Sequence, residues 1–143
     1  VAIYVAKSHK TIPNILASKA FTVSMANEKN IQAIDYLGIT SGNKVADKFS
    51  KSGLTAIQSE FVNAPLIQEL PLALECKFIS YDEESELLLG EIVNVSADES
   101  ALEENGKLSM EKLAPVCYDP AGHGYYLLGK RVGNAFSDGK SLQ

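Results

Sequence analysis

Four residue groups in this chain could do chemistry, and two of them suit the same anion. Ser8, Lys10 and Thr11 bring two hydroxyls and a cation to what reads as the start of a short helix. Hydroxyl and amide donors at a helix start, helped by one cation, are well suited to a phosphate dianion. Lys48 follows the Ser41-Gly42 turn and precedes Phe49, where an ammonium can also grip an anionic group. Taken alone, Thr11 reads equally as a plain helix cap and Lys48 as a surface lysine. The third group is aromatic: Tyr118 before Asp119-Pro120, with Tyr125 and Tyr126 beyond a Gly-rich turn. The fourth is His9 and His123, the only side chains that ordinarily titrate near neutrality. No Ser/His/Asp set carries a recognisable motif, and neither GxGxxG nor GxxxxGK[ST] occurs.

The elements that must position these residues follow from pattern and punctuation. Val1–Val5 reads as a strand, and Thr11 with Pro13 opens a helix over about 12–18. A second strand covers Ala20–Met25. Asn27 caps a helix over about 28–37, ended by Gly38 and Ser41-Gly42, and a short helix around Val45–Lys51 closes at Gly53. Residues 55–68 read as irregular, with an extended piece at Ile57–Val62 stopped by Pro65. Leu72–Tyr81 and Glu86–Ser96, joined by an acidic turn, predict an antiparallel hairpin in which Gly90 marks a bulge or a close approach. Asp98 or Ser100 caps a helical turn, Asn105-Gly106 makes a turn, and Ser109 caps a short helix before Pro115. Val116–Tyr118 and Tyr125–Leu128 are the last strands, and 129–143 reads as an extended tail. Strands separated by short helices around one long hairpin make a mainly β (α+β) domain, and a barrel suits them better than a parallel sheet.

The chain has 143 residues, 45% hydrophobic and 22% charged, enough for one domain that buries about 70% of its unfolded surface. A formal charge of -5 with scattered basic residues argues against nucleic acid as a partner. The acidic groups Asp82–Glu86 and Asp98–Glu104 read as solvated faces. No apolar run approaches the roughly 20 residues that span a bilayer. Cys76 and Cys117 read as buried small hydrophobes rather than a disulfide, which points to the cytoplasm. With no CxxC pair and no His/Cys cluster, no metal is expected.

The stretch YLGITSGNKVADKFSKSG at 36–53 resembles the flavoredoxin and flavin-reductase-like family. FTVSM at 21–25, LPLALECKFI at 70–79 and GYYLLGKRVGNAFSDGK at 124–140 agree with it in order. The resemblance implies an FMN-binding split β-barrel with short peripheral helices, as a single domain over 1–143. Against that family the chain starts within the barrel, so the first strands are expected to be missing. The implied activity is NAD(P)H-dependent flavin reduction or flavoredoxin-type electron transfer, in a cytoplasmic homodimer. A non-enzymatic FMN electron carrier and a flavin-free binding domain are the alternatives. Ser8, Lys10, Thr11, Lys48 and Tyr118 are the residues it places on the flavin nucleotide, with no catalytic acid or base. The loop 43–47 is one residue longer than usual, which leaves Lys44 open as a substitute for Lys48. Where relatives often carry an arginine this chain has Ala6, and Lys7 or Lys10 is the replacement cation.

Overall fold

Two long strands organise the structure, a computed structural model that describes all residues from Val1 to Gln143. They are β5 (Leu72–Asp82) and β6 (Leu87–Ala97), paired antiparallel across the acidic turn. Asp82 shapes that turn, accepting from the backbone N–H groups of Glu84 (3.0 Å) and Ser85 (2.7 Å). These bonds, that of Ser85 foremost, favour the charged carboxylate and hold the Asp82 pKa below its usual range. β1 (Ala2–Tyr4) adds to the free edge of β6, and β2 (Ala20–Ser24) adds to that of β5. The sheet therefore runs β1-β6-β5-β2, antiparallel throughout, as a half-barrel. Helix α1 (Thr11–Ser18) links β1 to β2, its buried Ile12 and Ile15 turned inward. Ile15, Phe21, Cys76 and Leu88 form the main core.

Gly90 settles how closely this core packs. A Cβ built there would lie 2.4 Å from Phe21 Cζ, far inside van der Waals contact. The register of β5 on β6 also shifts between Phe78 and Ser80, beside the Phe78–Gly90 pair. Of the two readings of this glycine the close approach is present at Gly90 itself, whereas the bulge lies on the facing strand, at Ile79 of β5.

The remaining elements flank the sheet. Asn27 accepts from the N–H of Asn30 and opens a 3-10 turn (Glu28–Asn30) that passes into α2 (Ile31–Ile39). The helix thus begins later and runs further than the residue pattern predicts, with Gly38 inside its last turn. α3 (Lys48–Lys51) ends at Gly53, whose φ of +75° is the left-handed conformation that glycine adopts freely. β3 (Ala56–Gln58) and β4 (Pro65–Ile67) form a separate two-stranded ribbon. Pro65 was expected to stop a strand, but it starts one. As the first residue of β4 it has no N–H to place in a ladder, and its carbonyl accepts from Thr22 Oγ1 at 2.6 Å. Asp98 and Ser109 cap as expected, the latter at α4 (Met110–Leu113). β7 (Val116–Asp119) and β8 (Gly124–Leu127) close a second hairpin. Cys76 is fully buried, whereas Cys117 is exposed, against the expectation for both thiols. Residues 138–142 form a 3-10 turn rather than extended chain. No helix is long and apolar enough to cross a membrane.

One buried charge ties the ribbon to the sheet. Glu75 is fully buried between Thr22 and Asn94 in the strand order. Its carboxylate accepts from Ser59 Oγ, Ser96 Oγ and Asn94 Nδ2, the last at 2.7 Å. Ser59 Oγ in turn accepts from the N–H groups of Phe61 and Val62, both at 3.0 Å, and so folds the 59–62 turn. Burial opposes ionisation more strongly than any one of the three donors favours it, but together they hold the Glu75 pKa below its usual value.

Two variants test this packing. Gly90→Ala should destabilise the fold by about 1–3 kcal/mol in urea unfolding, because the added methyl meets the Phe21 ring. The lowered pKa of Glu75 contributes stability above its unfolded-state pKa, which is lost as pH falls through the folded-state pKa. Glu75→Gln should lower stability by about 1–3 kcal/mol at pH 7, since an amide N–H₂ then faces donors. It should also flatten the loss of stability in acid, and an unchanged acid profile would remove Glu75 as its source.

Candidate functional site

The start of α1 and the Ser41-Gly42 loop meet. Lys10 stands at the N-cap in helical geometry (φ -55°, ψ -22°) with no side-chain cap, so Thr11 is the first helical residue and not the cap. The chain enters the helix one residue before Thr11, which carries the Thr11 hydroxyl away from the capping position and onto the cavity described below. A Cβ on Gly42 would lie 3.3 Å from Lys10 Cβ and 3.6 Å from Lys48 Cδ, so both lysine stems pack on this glycine. Asn43 Nδ2 fastens the loop to the helix tip by donating to the Ser8 carbonyl at 2.8 Å. The structure therefore brings Ser8, Lys10, Thr11 and Lys48 into one corner.

Their roles there differ. Lys48 Nζ donates to the Leu37 carbonyl (2.8 Å) and the Thr40 carbonyl (2.7 Å). It satisfies the open C-terminal end of α2 and so holds the Ser41-Gly42 loop in place. Lys44 makes no such contact with Gly42; its backbone N–H donates to Ser41 O within the loop. Lys10 enters no ion pair, and Lys51 is the lysine of this region that does, with Asp47 at 3.1 Å. Lys7 lies alongside, its backbone N–H donating to Glu86 Oε1 at 3.0 Å.

Thr11 faces a cavity of about 600 Å³ between α1, the two outer strands β1 and β2, and the 63–65 turn. Its walls are mainly apolar, with Val5, Phe21 and Val23 among them, and its polar groups include Asn14, Thr22 and Asn63. Thr11, Asn14 and Ser18 fall at helical spacing on one face of α1, so this row could have been read from the residue order. Thr22, Asn63 and the Glu75–Ser59 latch behind the wall could not, because distant pairings bring them together.

Tyr118 lies outside this cavity. It sits on the β7–β8 hairpin, half-exposed, its hydroxyl 2.9 Å from His123 Nδ1 and its ring centroid 5.5 Å from that of Tyr125. His123 takes a left-handed φ of +52°, which turns its ring back toward Tyr118. Tyr125 donates to Asp35 Oδ1 at 2.8 Å, pinning the hairpin to α2; that hydrogen bond to a carboxylate pushes the Tyr125 pKa above the ordinary phenol range. The hairpin carries an ordered aromatic surface, separate from the lysine corner.

The flavin reductase like domain model matches residues 1–123. The chain belongs to that family. Within it, the chain is similar to a flavoredoxin of Desulfovibrio vulgaris (Miyazaki F), with 37% identity, a TM-score of 0.90, and coverage of 97% of this chain and 75% of that one. It is also similar to a flavoredoxin from Methanosarcina acetivorans, with 29% identity and a TM-score of 0.89, over 99% and 75% of the two chains. An uncharacterized protein of Aquifex aeolicus is 32% identical over 108 residues, or 74% of this chain. The chain spans 55% of the length of that curated relative. The half-barrel of strands with few short helices is the split-barrel architecture of these flavin reductase-like neighbours.

The lysine that caps α2 gives a direct check. Lys48→Ala leaves the Leu37 and Thr40 carbonyls without a partner and should cost about 1–3 kcal/mol of stability. Amide hydrogen exchange should speed up across 37–44, while rates in the β5–β6 hairpin stay unchanged.

Proposed function

We propose that this chain is an FMN-binding redox protein of the flavoredoxin type, reducing bound flavin with NAD(P)H and working as a homodimer. The observation that carries the reading is the helix start where Thr11 opens onto a largely apolar cavity and the Lys10 and Lys48 stems pack beside it on Gly42. FMN needs donors and a cation for its phosphate and an apolar slot for its ring. The residues fit: Ser8 and Thr11 offer hydroxyl donors, and Lys10 offers an ammonium outside any ion pair. Flavoredoxin neighbours at 29–37% identity favour the same cofactor for this chain.

FMN, when bound, supplies the hydride and electron chemistry. The chain's own residues bind, orient and exclude water. Thr11 and Ser8 hold the anionic end at the α1 tip, and Lys10 offsets its charge. Lys48 acts through the loop it fixes, with its third N–H left for the phosphate. Val5, Phe21 and Val23 keep the far end of the cavity dry. In this reading Tyr118 meets a flavin ring only from a second copy, because in its own chain it stands outside the cavity. No general acid or base is required.

Purified protein should be yellow or become so on titration with FMN. Exchanging both Lys10 and Thr11 for alanine should weaken FMN binding about 10- to 100-fold, in keeping with about 1–3 kcal/mol for charge-assisted hydrogen bonds. A colourless protein indifferent to added FMN defeats the proposal. Anaerobic stopped-flow mixing with NADPH or NADH should bleach the flavin band. Bleaching by neither would leave an FMN carrier reduced by another protein.

A further inference from the structure

The last nineteen residues, Tyr125–Gln143, are all exposed, and from Gly129 onward every hydrogen bond they make stays within the segment. Their hydrogen bonds are internal: Arg131 Nε donates to the Gly133 carbonyl (3.1 Å), and the Asn134 N–H donates to Asp138 Oδ2 (2.8 Å). Three large apolar side chains stand out from this arm almost wholly in solvent: Val132 at 95%, Phe136 at 97% and Leu142 at 92% exposure. Phe136 also takes a left-handed φ of +61°, a conformation unfavourable to a side chain with a Cβ, and its ring stands in solvent.

We infer that this arm is an exchange arm, which grips the acidic end of the β1–β6–β5 face on a second copy of the chain. The inference rests on the homodimer reading above and names the surface that makes it. Three observations carry it. The first is area. The chain exposes 10029 Å², about 2,800 Å² more than the roughly 7,200 Å² expected of a compact monomer of its mass. Doubled over two chains the surplus is about 5,600 Å², at the upper end of the 2,000–5,000 Å² or more that obligate dimer interfaces hide over both partners. The second is charge. Lys130, Arg131 and Lys140 against Asp138 give the arm +2, which leaves -7 on residues 1–128. The third is the receiving face. Tyr4, 76% exposed, pairs with Leu87, and Leu87 pairs with Asp82, in one row across the three strands. Ile79, in the register shift of β5, lies exposed nearby, and the row ends at the acidic turn with Glu83 and Glu84. Apolar groups rimmed by carboxylates match an arm of apolar groups rimmed by cations.

The test is sedimentation velocity on the full chain, with and without added FMN. The wild type should run at twice 15.4 kDa. Val132→Asp with Phe136→Asp should run as one chain and keep the wild-type far-UV circular dichroism, since neither side chain packs at home. Lys130→Glu with Lys140→Glu should also dissociate, and so should Glu83→Lys with Glu84→Lys. Mixing those two charge-reversed proteins should restore a two-chain species. A wild-type monomer would overturn both the dimer and the arm. A dimer indifferent to the apolar and charge variants would overturn the arm alone, and failure of the mixture to recover would overturn the receiving face. None of these readings depends on whether flavin binds.

Discussion

Phe21 lies over Gly90 at a distance that leaves no room for a methyl group, and the half-barrel is arranged around that contact. The ring belongs to β2 and the glycine to β6, with β5 between them. Their approach draws the concave side of the sheet together over Cys76 and Leu88. The same Phe21 ring forms part of the cavity wall. The tight Phe21–Gly90 contact and the space proposed for a ligand therefore share one aromatic ring.

A second constraint is electrostatic. Glu75 is a buried carboxylate with no cation, held ionised by two hydroxyls and an amide. Such a group is costly unless every lone pair is met, and here the donors come from two separate segments, the 59–62 turn and β6. One of them, Ser59, folds the turn leading to Asn63, Ala64 and Pro65 on the cavity rim. Lys48 does similar work on the opposite side, where two carbonyls of α2 fix the loop beside Lys10. Both charges act on backbone placement, and the cavity takes its outline from where they hold it.

The outer surface carries a different logic. A large exposed area and an apolar, basic arm beside an acidic body are the features that the proposed second copy would cover. The Tyr118–Tyr125–His123 group, pinned to α2 through Asp35, adds an ordered aromatic face outside the cavity of its own chain. A second subunit is the simplest structure that gives both features a partner.

Much of this was written locally. The period-two pattern and acidic turn of 72–96, the caps at Asn27, Asp98 and Ser109, and the breaks at Gly53 and Asn105-Gly106 each follow from a few adjacent residues, and all are present. The grouping of Ser8, Lys10 and Thr11 is equally local, since one helix start holds them. The rest depended on contacts between distant segments. Whether Thr11 caps the helix or faces a cavity turns on one residue of entry geometry at Lys10, which propensity does not resolve. That Pro65 begins a strand depends on Thr22 reaching its carbonyl, and that Glu75 is buried depends on three donors arriving from 59, 94 and 96. Residue order determined which elements form, because caps, turns and periodicity act within a few residues. Tertiary structure decided which polar groups are buried, which lysine is tied to backbone and where Tyr118 stands, because those outcomes depend on partners 10 to 90 positions away.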